Sequence, residues 1–226
     1  MAQKARNSVD EGFNTVKLKI GEADLNKDFE RVKMVREAIG YSVPIRVDFN
    51  GAYTVTDAIK VVNELSRYDL QVIEDPLKEW DYDGWSRLAR STNGPFCADL
   101  AVKSPRDVYQ ILSKNFFSYI KVKVSKVGGF DNATKIISIA ESAGVPVLVG
   151  RGSSTNLETF CELHLVAAEP SLSLNSETVG PLKLADDIVT KSFEAVNGKA
   201  PVPMDAGVGT TINEEKLKKY LVLEDR

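Results

Sequence analysis

Polar or charged residues close successive β-rich runs of this chain at nearly constant intervals, and that interval restricts what it can fold into. Lys19, Asp48, Glu74, Asp99, Lys123, Arg151 and Glu177 follow one another at steps of 29, 26, 25, 24, 28 and 26 residues. The runs leading to them cover residues 16–20, 45–49, 71–74, 95–99, 119–124, 146–149 and 172–176. Helical spacing fills the gaps: Leu25, Phe29, Val32, Val35 and Ile39 fall on one face, and Ile59, Val62 and Leu65 on another. Ser104-Pro105 reads as an N-cap with proline at the first helical position, and Gly40 and Gly144 stand where helices should end. Strict alternation of this kind requires parallel strands joined by helical crossovers. Seven units of similar length predict a rotationally repeated α/β barrel of the TIM type. An open doubly wound sheet would carry G-x-G-x-x-G after its first strand, and none is present. The count is one strand short of eight, with residues 1–11 reading as a helix that runs into the first visible strand. The expected organisation is a barrel domain over residues 1–190, incomplete at its N-terminus, and a C-terminal extension over 191–226 that packs on it.

Composition narrows the partners. The 226 residues carry 29 basic and 32 acidic side chains, a net charge of −3, which leaves no basic excess to hold nucleic acid. No apolar run is long enough for a membrane span, and the first residues lack the apolar core of a signal peptide. Cys97 and Cys161 form neither a disulfide framework nor a zinc pattern. The expected compartment is the cytoplasm.

Catalytic groups of a barrel sit at the C-terminal ends of its strands. Asp48, Glu74 and Asp99 occupy that place on three consecutive strands. Alternate strand residues share a face, so Lys17 pairs with Lys19, Lys121 with Lys123, and Asp48 with Asn50. Three carboxylates converging on one mouth repel unless a cation lies among them, and all-oxygen ligands favour Mg²⁺, with Mn²⁺ as a substitute. Such an ion stabilises the enediolate formed when a proton leaves the carbon α to a carboxylate. The single histidine, His164, lies in a helical run, so lysine is left as the base. Lys19 and Lys123, four units apart, would face each other across the barrel. Lys121 reads equally as a salt-bridge partner or a site residue. Arg151 and Ser153 read equally as an anion site or a plain polar loop. Gly128-Gly129 read as a tight turn, Trp80 and Trp85 as packing residues, His164, Cys97 and Cys161 as structural, and Asp186-Asp187 as a solvated turn.

KLKI, VDFNG, IEDP, ADL and IKVKVSKVGG, in this order and spacing, resemble the muconate-lactonising subgroup of the enolase superfamily from about Gly12 to Val222. The resemblance implies a modified (β/α)7β barrel lacking its first strand. It assigns an acid/base role to Lys19 and Lys123, contact with the substrate carboxylate to Lys17, and metal binding to Asp48, Glu74 and Asp99. Glu177 falls where cycloisomerases carry a glutamate before Gly-Pro-Leu. Three features depart from the family pattern: no N-terminal capping domain precedes the barrel, Leu100 follows Asp99 where many relatives have glutamate, and Lys121 stands where relatives often have asparagine.

The expected function is Mg²⁺-dependent proton abstraction α to the carboxylate of a small substrate, with a muconate-cycloisomerase-like isomerisation first. A dipeptide or amino-acid epimerase and an acid-sugar dehydratase are the alternatives. The segment Glu177-Thr178-Val179 lacks the D-x-D expected of a dipeptide epimerase. A catalytically silent, truncated barrel is the competing expectation, and exposed strand edges predict a homo-oligomer.

Overall fold

The short Val- and Ile-rich runs form six parallel strands: β1 (Val16–Lys19), β2 (Ile45–Asp48), β3 (Leu70–Glu74), β4 (Phe96–Ala98), β5 (Tyr119–Val122) and β6 (Val147–Val149). Their order in the sheet is their order in the chain, and the sheet curls into a half-barrel. The computed structural model of the protein describes residues 1–222. Helices α1 (Ala2–Asp10), α2 (Leu25–Ile39), α3 (Val55–Leu65), α4 (Tyr82–Ser91), α5 (Pro105–Leu112), α6 (Phe130–Ser142) and α7 (Asn156–Ala168) alternate with the strands, and α8 (Glu214–Tyr220) follows a long irregular segment. No helix among the described residues is long and apolar enough to cross a membrane.

The two faces of the strands have different fates. Leu18, Val47 and Ile73 point outward and pack beneath helices with Val32, Val35, Val61, Leu65 and Leu88. Ala98, Ile120, Val122 and Val149 do the same against α5 and α6. Each such aliphatic side chain contributes roughly 1.5–3 kcal/mol on burial. The opposite face is mostly charged. Only a small apolar floor of Val72, Cys97 and Leu148, flanked by Tyr119 and Leu174, lines the interior. Two residues further along the strands, the same face carries Glu74, Asp99 and Lys121.

Helix starts follow the sequence signals. Asp24, Thr54, Asp81 and Ser104 each accept a backbone N–H in the first turn of α2, α3, α4 and α5. Helix α7 is different. Thr155 gives it no side-chain cap, and Asp187 accepts both the N–H and the Nδ2 of Asn156 at 2.7 and 2.6 Å. Asp187 is buried, which corrects its reading as a solvated turn: it caps a helix that begins 31 residues earlier.

The run at 172–176 is not a strand, so the sheet has six strands where seven were expected. Leu172 and Ser173 spend their N–H groups on local turns to Glu169 and Ser171. The segment lies between β6 and β1 nonetheless. Glu177 N–H donates to Val149 at 2.8 Å, and Asn175 Nδ2 donates to Thr15 Oγ1 at 2.8 Å. Gly150 makes the approach to β6 feasible, because a Cβ there would stand 2.5 Å from the Glu177 backbone. The strands at 95–99 and 119–124 also end earlier than expected, leaving Asp99 and Lys123 one residue past β4 and β5. Trp85 is buried edge-on to Phe96, as a packing residue should be, whereas Trp80 is 71% exposed, just before α4.

Arg36 joins three elements from the buried face of α2. Its guanidinium donates to the carbonyls of Gly40, Val43, Tyr68 and Asp69 at 2.7–2.9 Å. Arg36→Met would leave those carbonyls unpaired, and urea unfolding should show a loss of roughly 3–5 kcal/mol. Glu162, fully buried on α7, has no partner in hydrogen-bond geometry for either carboxyl oxygen. Burial, and then Glu158, push it from 4.5 up to about 8. The folded chain therefore holds this proton more tightly than the unfolded one. Its contribution is complete below about pH 4.5 and is lost as pH rises through about 8. Unfolding of Glu162→Gln between pH 5 and 9 should show a flatter stability profile than the parent.

Candidate active site

Every strand from β1 to β5 delivers a charged side chain to the C-terminal end of the curled sheet. Register aligns Lys19 with Asp48 and Asp48 with Glu74, so the ends of the first three strands form one row. Asp99 and Lys123 continue it past β4 and β5. Asp48, Glu74 and Asp99 are almost completely buried.

Lysines surround these carboxylates. Lys17 lies 2.5 Å from Glu74, 2.9 Å from Glu177 and 3.2 Å from Asp48. Lys19 is 2.5 Å from Asp48 and 2.6 Å from Asn50 Oδ1. Lys123 and Lys126 both bind Asp99. Burial opposes ionisation of Asp48, but Lys17 and Lys19 hold it at about 2. Burial likewise opposes ionisation of Asp99, and Lys121, Lys123 and Lys126 overcome it, holding its carboxyl well below the usual range. Glu74 goes the other way. Burial pushes it up to about 8 despite Lys121 and Lys17, with Asp48 and Glu177 adding to the rise.

A deeper layer lies beneath the row. Glu177 accepts from Lys121 at 2.5 Å, Lys17 at 2.9 Å and Arg46 at 3.2 Å. Lys121, Lys17 and Arg46 belong to β5, β1 and β2, so one carboxylate ties the last segment to three strands. Burial disfavours the charge on Glu177, yet Lys121 and Lys17 keep it ionised far below its ordinary 4.5. A carboxylate so held is an anchor for cations and has no proton to give at neutral pH.

Lys17, Lys19, Asp48, Glu74, Asp99, Lys123 and Glu177 therefore lie together at one end of the sheet. Three further residues complete the arrangement. Arg46 sits two residues before Asp48 on the same face, a parity that IRVD displays. Lys121 proves fully committed to Glu74 and Glu177. Asp75 accepts the N–H groups of Asp99 and Leu100 at 3.3 and 2.8 Å, fixing the turn that carries Asp99. Burial, then Asp99, raises Asp75 to about 7. Single carboxyl oxygens of Glu74, Asp75 and Asp99 lie within 4.8 Å of one another, whereas Asp48 is drawn towards its two lysines. Arg151 binds Glu158 and Ser125 at the mouth of β6.

The donor set of Glu74, Asp75 and Asp99 suits a hard cation: it is all oxygen and comes from the ends of the neighbouring strands β3 and β4, with Asp48 of β2 beside it in the row.

A sequence model described as enolase C-terminal domain-like matches residues 1–216, and the chain belongs to this family. A hydrophobic dipeptide epimerase of Enterococcus faecalis is 33% identical over 174 residues, covering 76% of this chain and 49% of the relative. A muconate lactonizing enzyme from Klebsiella pneumoniae superposes with a TM-score of 0.89 at 28% identity, over 99% of this chain and 63% of that one. A dipeptide epimerase from Cytophaga hutchinsonii, complexed with Mg and the dipeptide D-Ala-L-Val, superposes with a TM-score of 0.86 at 28% identity, over 96% and 59%. The chain spans about half to three-fifths of the length of the curated relatives it matches.

Glu177→Gln would leave Lys17, Lys121 and Arg46 short of their shared anion. Breaking a buried ionic set from one side costs roughly 3–5 kcal/mol, which chemical denaturation at pH 7 should register. Glu177 has a depressed folded value, so its contribution is complete above about pH 4.5 and is lost as pH falls below that. The variant should lack this part of the acid-side loss.

Proposed function

We propose that the protein removes the proton α to a substrate carboxylate and returns a proton to the same carbon, as an epimerase or racemase does. The pair Lys19 and Lys123 carries this reading. Each is bound to a strand-end acid, Asp48 or Asp99, and the two flank the row of carboxylates from opposite ends. In this reading the α-carbon sits between them, with Lys19 exchanging a proton on one face and Lys123 on the other. Asp48, Glu74 and Asp99 would hold a divalent cation such as Mg²⁺, which supplies Lewis-acid stabilisation of the carboxylate whose α-proton leaves. Lys17 bridges Asp48 and Glu74 and keeps both in place, and Asp75 holds the turn that presents Asp99. The dipeptide epimerases among the relatives support the same chemistry and suggest dipeptides as substrates, and the N-succinylamino acid racemases suggest N-acyl amino acids.

Cycloisomerisation is the second reading. Its support is the likeness to muconate lactonizing enzyme and the segment Glu177-Thr178-Val179-Gly180-Pro181-Leu182. It ranks second because Glu177 is held by three cations.

The test is deuterium incorporation at Cα in D₂O with Mg²⁺ present, using both hands of a panel of dipeptides and N-acyl amino acids. Lys19→Ala should cut exchange from one hand by about 10²-fold or more and spare the other, and Lys123→Ala should do the reverse. Equal losses for both hands, or no exchange from any substrate, would rule out the two-base reading. Lactonisation of muconate with no such exchange would favour the second.

A further inference from the structure

Lys121 differs from the other lysines of the site in having nowhere to go. Its side chain is 3% exposed, against 18% for Lys17, 60% for Lys19, 19% for Lys123 and 23% for Lys126. Its ammonium stands 3.3 Å from both oxygens of Glu74 and 2.5 Å from Glu177 Oε2. Glu177 does not depend on it alone, since Lys17 and Arg46 bind the same carboxylate. Lys17 also binds Glu74, at 2.5 Å, but its side chain reaches solvent at 18% exposure, so Lys121 is the fully enclosed ammonium on that carboxylate.

We propose that Lys121 is an internal competitor for the cation site, a fixed ammonium that shares Glu74 with the divalent ion and sets how tightly that ion is held. The inference rests on the metal reading above. When a dication approaches the row, the exposed lysines can swing their charge into solvent, where it is screened. Lys121 cannot, because the apolar floor and the strands enclose it. Repulsion between the ion and this ammonium acts in a poorly solvated interior and so persists in the bound state. Glu177 moderates it by drawing Lys121 away from Glu74, as the shorter contact shows.

The test is titration of the 226-residue chain with Mg²⁺ by calorimetry at fixed pH and ionic strength, with thermal unfolding alongside. Lys121→Asn should bind Mg²⁺ at least tenfold more tightly than the parent. Its unfolding temperature should be lower without Mg²⁺ and rise more on adding it, because an ion that binds only the folded state stabilises in proportion to its affinity. Unchanged or weaker affinity in folded Lys121→Asn would overturn the proposal and leave Lys121 as a structural ion-pair partner. Glu177→Gln provides an independent arm should Lys121→Asn fail to fold. Freed from Glu177, Lys121 should settle on Glu74 and weaken Mg²⁺ binding severalfold; unchanged or tighter binding there would also overturn it. Binding by the parent with no change in either variant removes this inference alone, whereas no binding in any of the three removes the metal reading and the inference together.

Discussion

The shared carboxylate of Glu177 is the contact on which the interior depends. Cations from β1, β2 and β5 converge on it, and the segment that supplies it reaches β6 through a single backbone hydrogen bond. Without this anion, three positive side chains would stand in a space with an apolar floor. With it, Lys17 and Lys121 become fixed points from which Glu74 and Asp48 are held. The hydrophobic effect assembles the sheet against its helices, but the inner face is organised by charge.

That division explains why the architecture and the site were unevenly legible. The outward strand residues alternate with inward ones at period two, and the helices repeat near 3.6, so the β-α order and the position of each strand could be read directly. Asp48, Glu74 and Asp99 were found because each stands at the end of an apolar run. The run at 172–176 misled because Leu172 and Leu174 alternate with serines, a strand-like pattern, while local turns consume the N–H groups a ladder needs. Lys121 and Arg46 were harder. A charged residue within a strand reads equally as an edge or an interior position until its counter-charge, here Glu177 more than 50 residues away, is placed.

The lysines of the charged layer differ in depth. Lys19 is largely exposed, Lys17 and Lys123 are each mostly buried to a similar extent, and Lys121 is fully enclosed. All four are bound to carboxylates, but only the enclosed one has no route to solvent. One residue type thus takes a graded set of surroundings within a single layer.

The cap on α7 bears on how the chain comes together. Asp187 supplies the acceptor for the first turn of a helix that begins at Asn156, and the side chain of Asn156 in turn receives the N–H of Phe193. During synthesis the helix can emerge in full while its starting turn still lacks a partner. That turn is completed only when the chain beyond the 3-10 turn at Gly180–Lys183 has been made and has folded back. The acceptor that completes the first turn of α7 therefore leaves the ribosome only after all six strands of the sheet have been made.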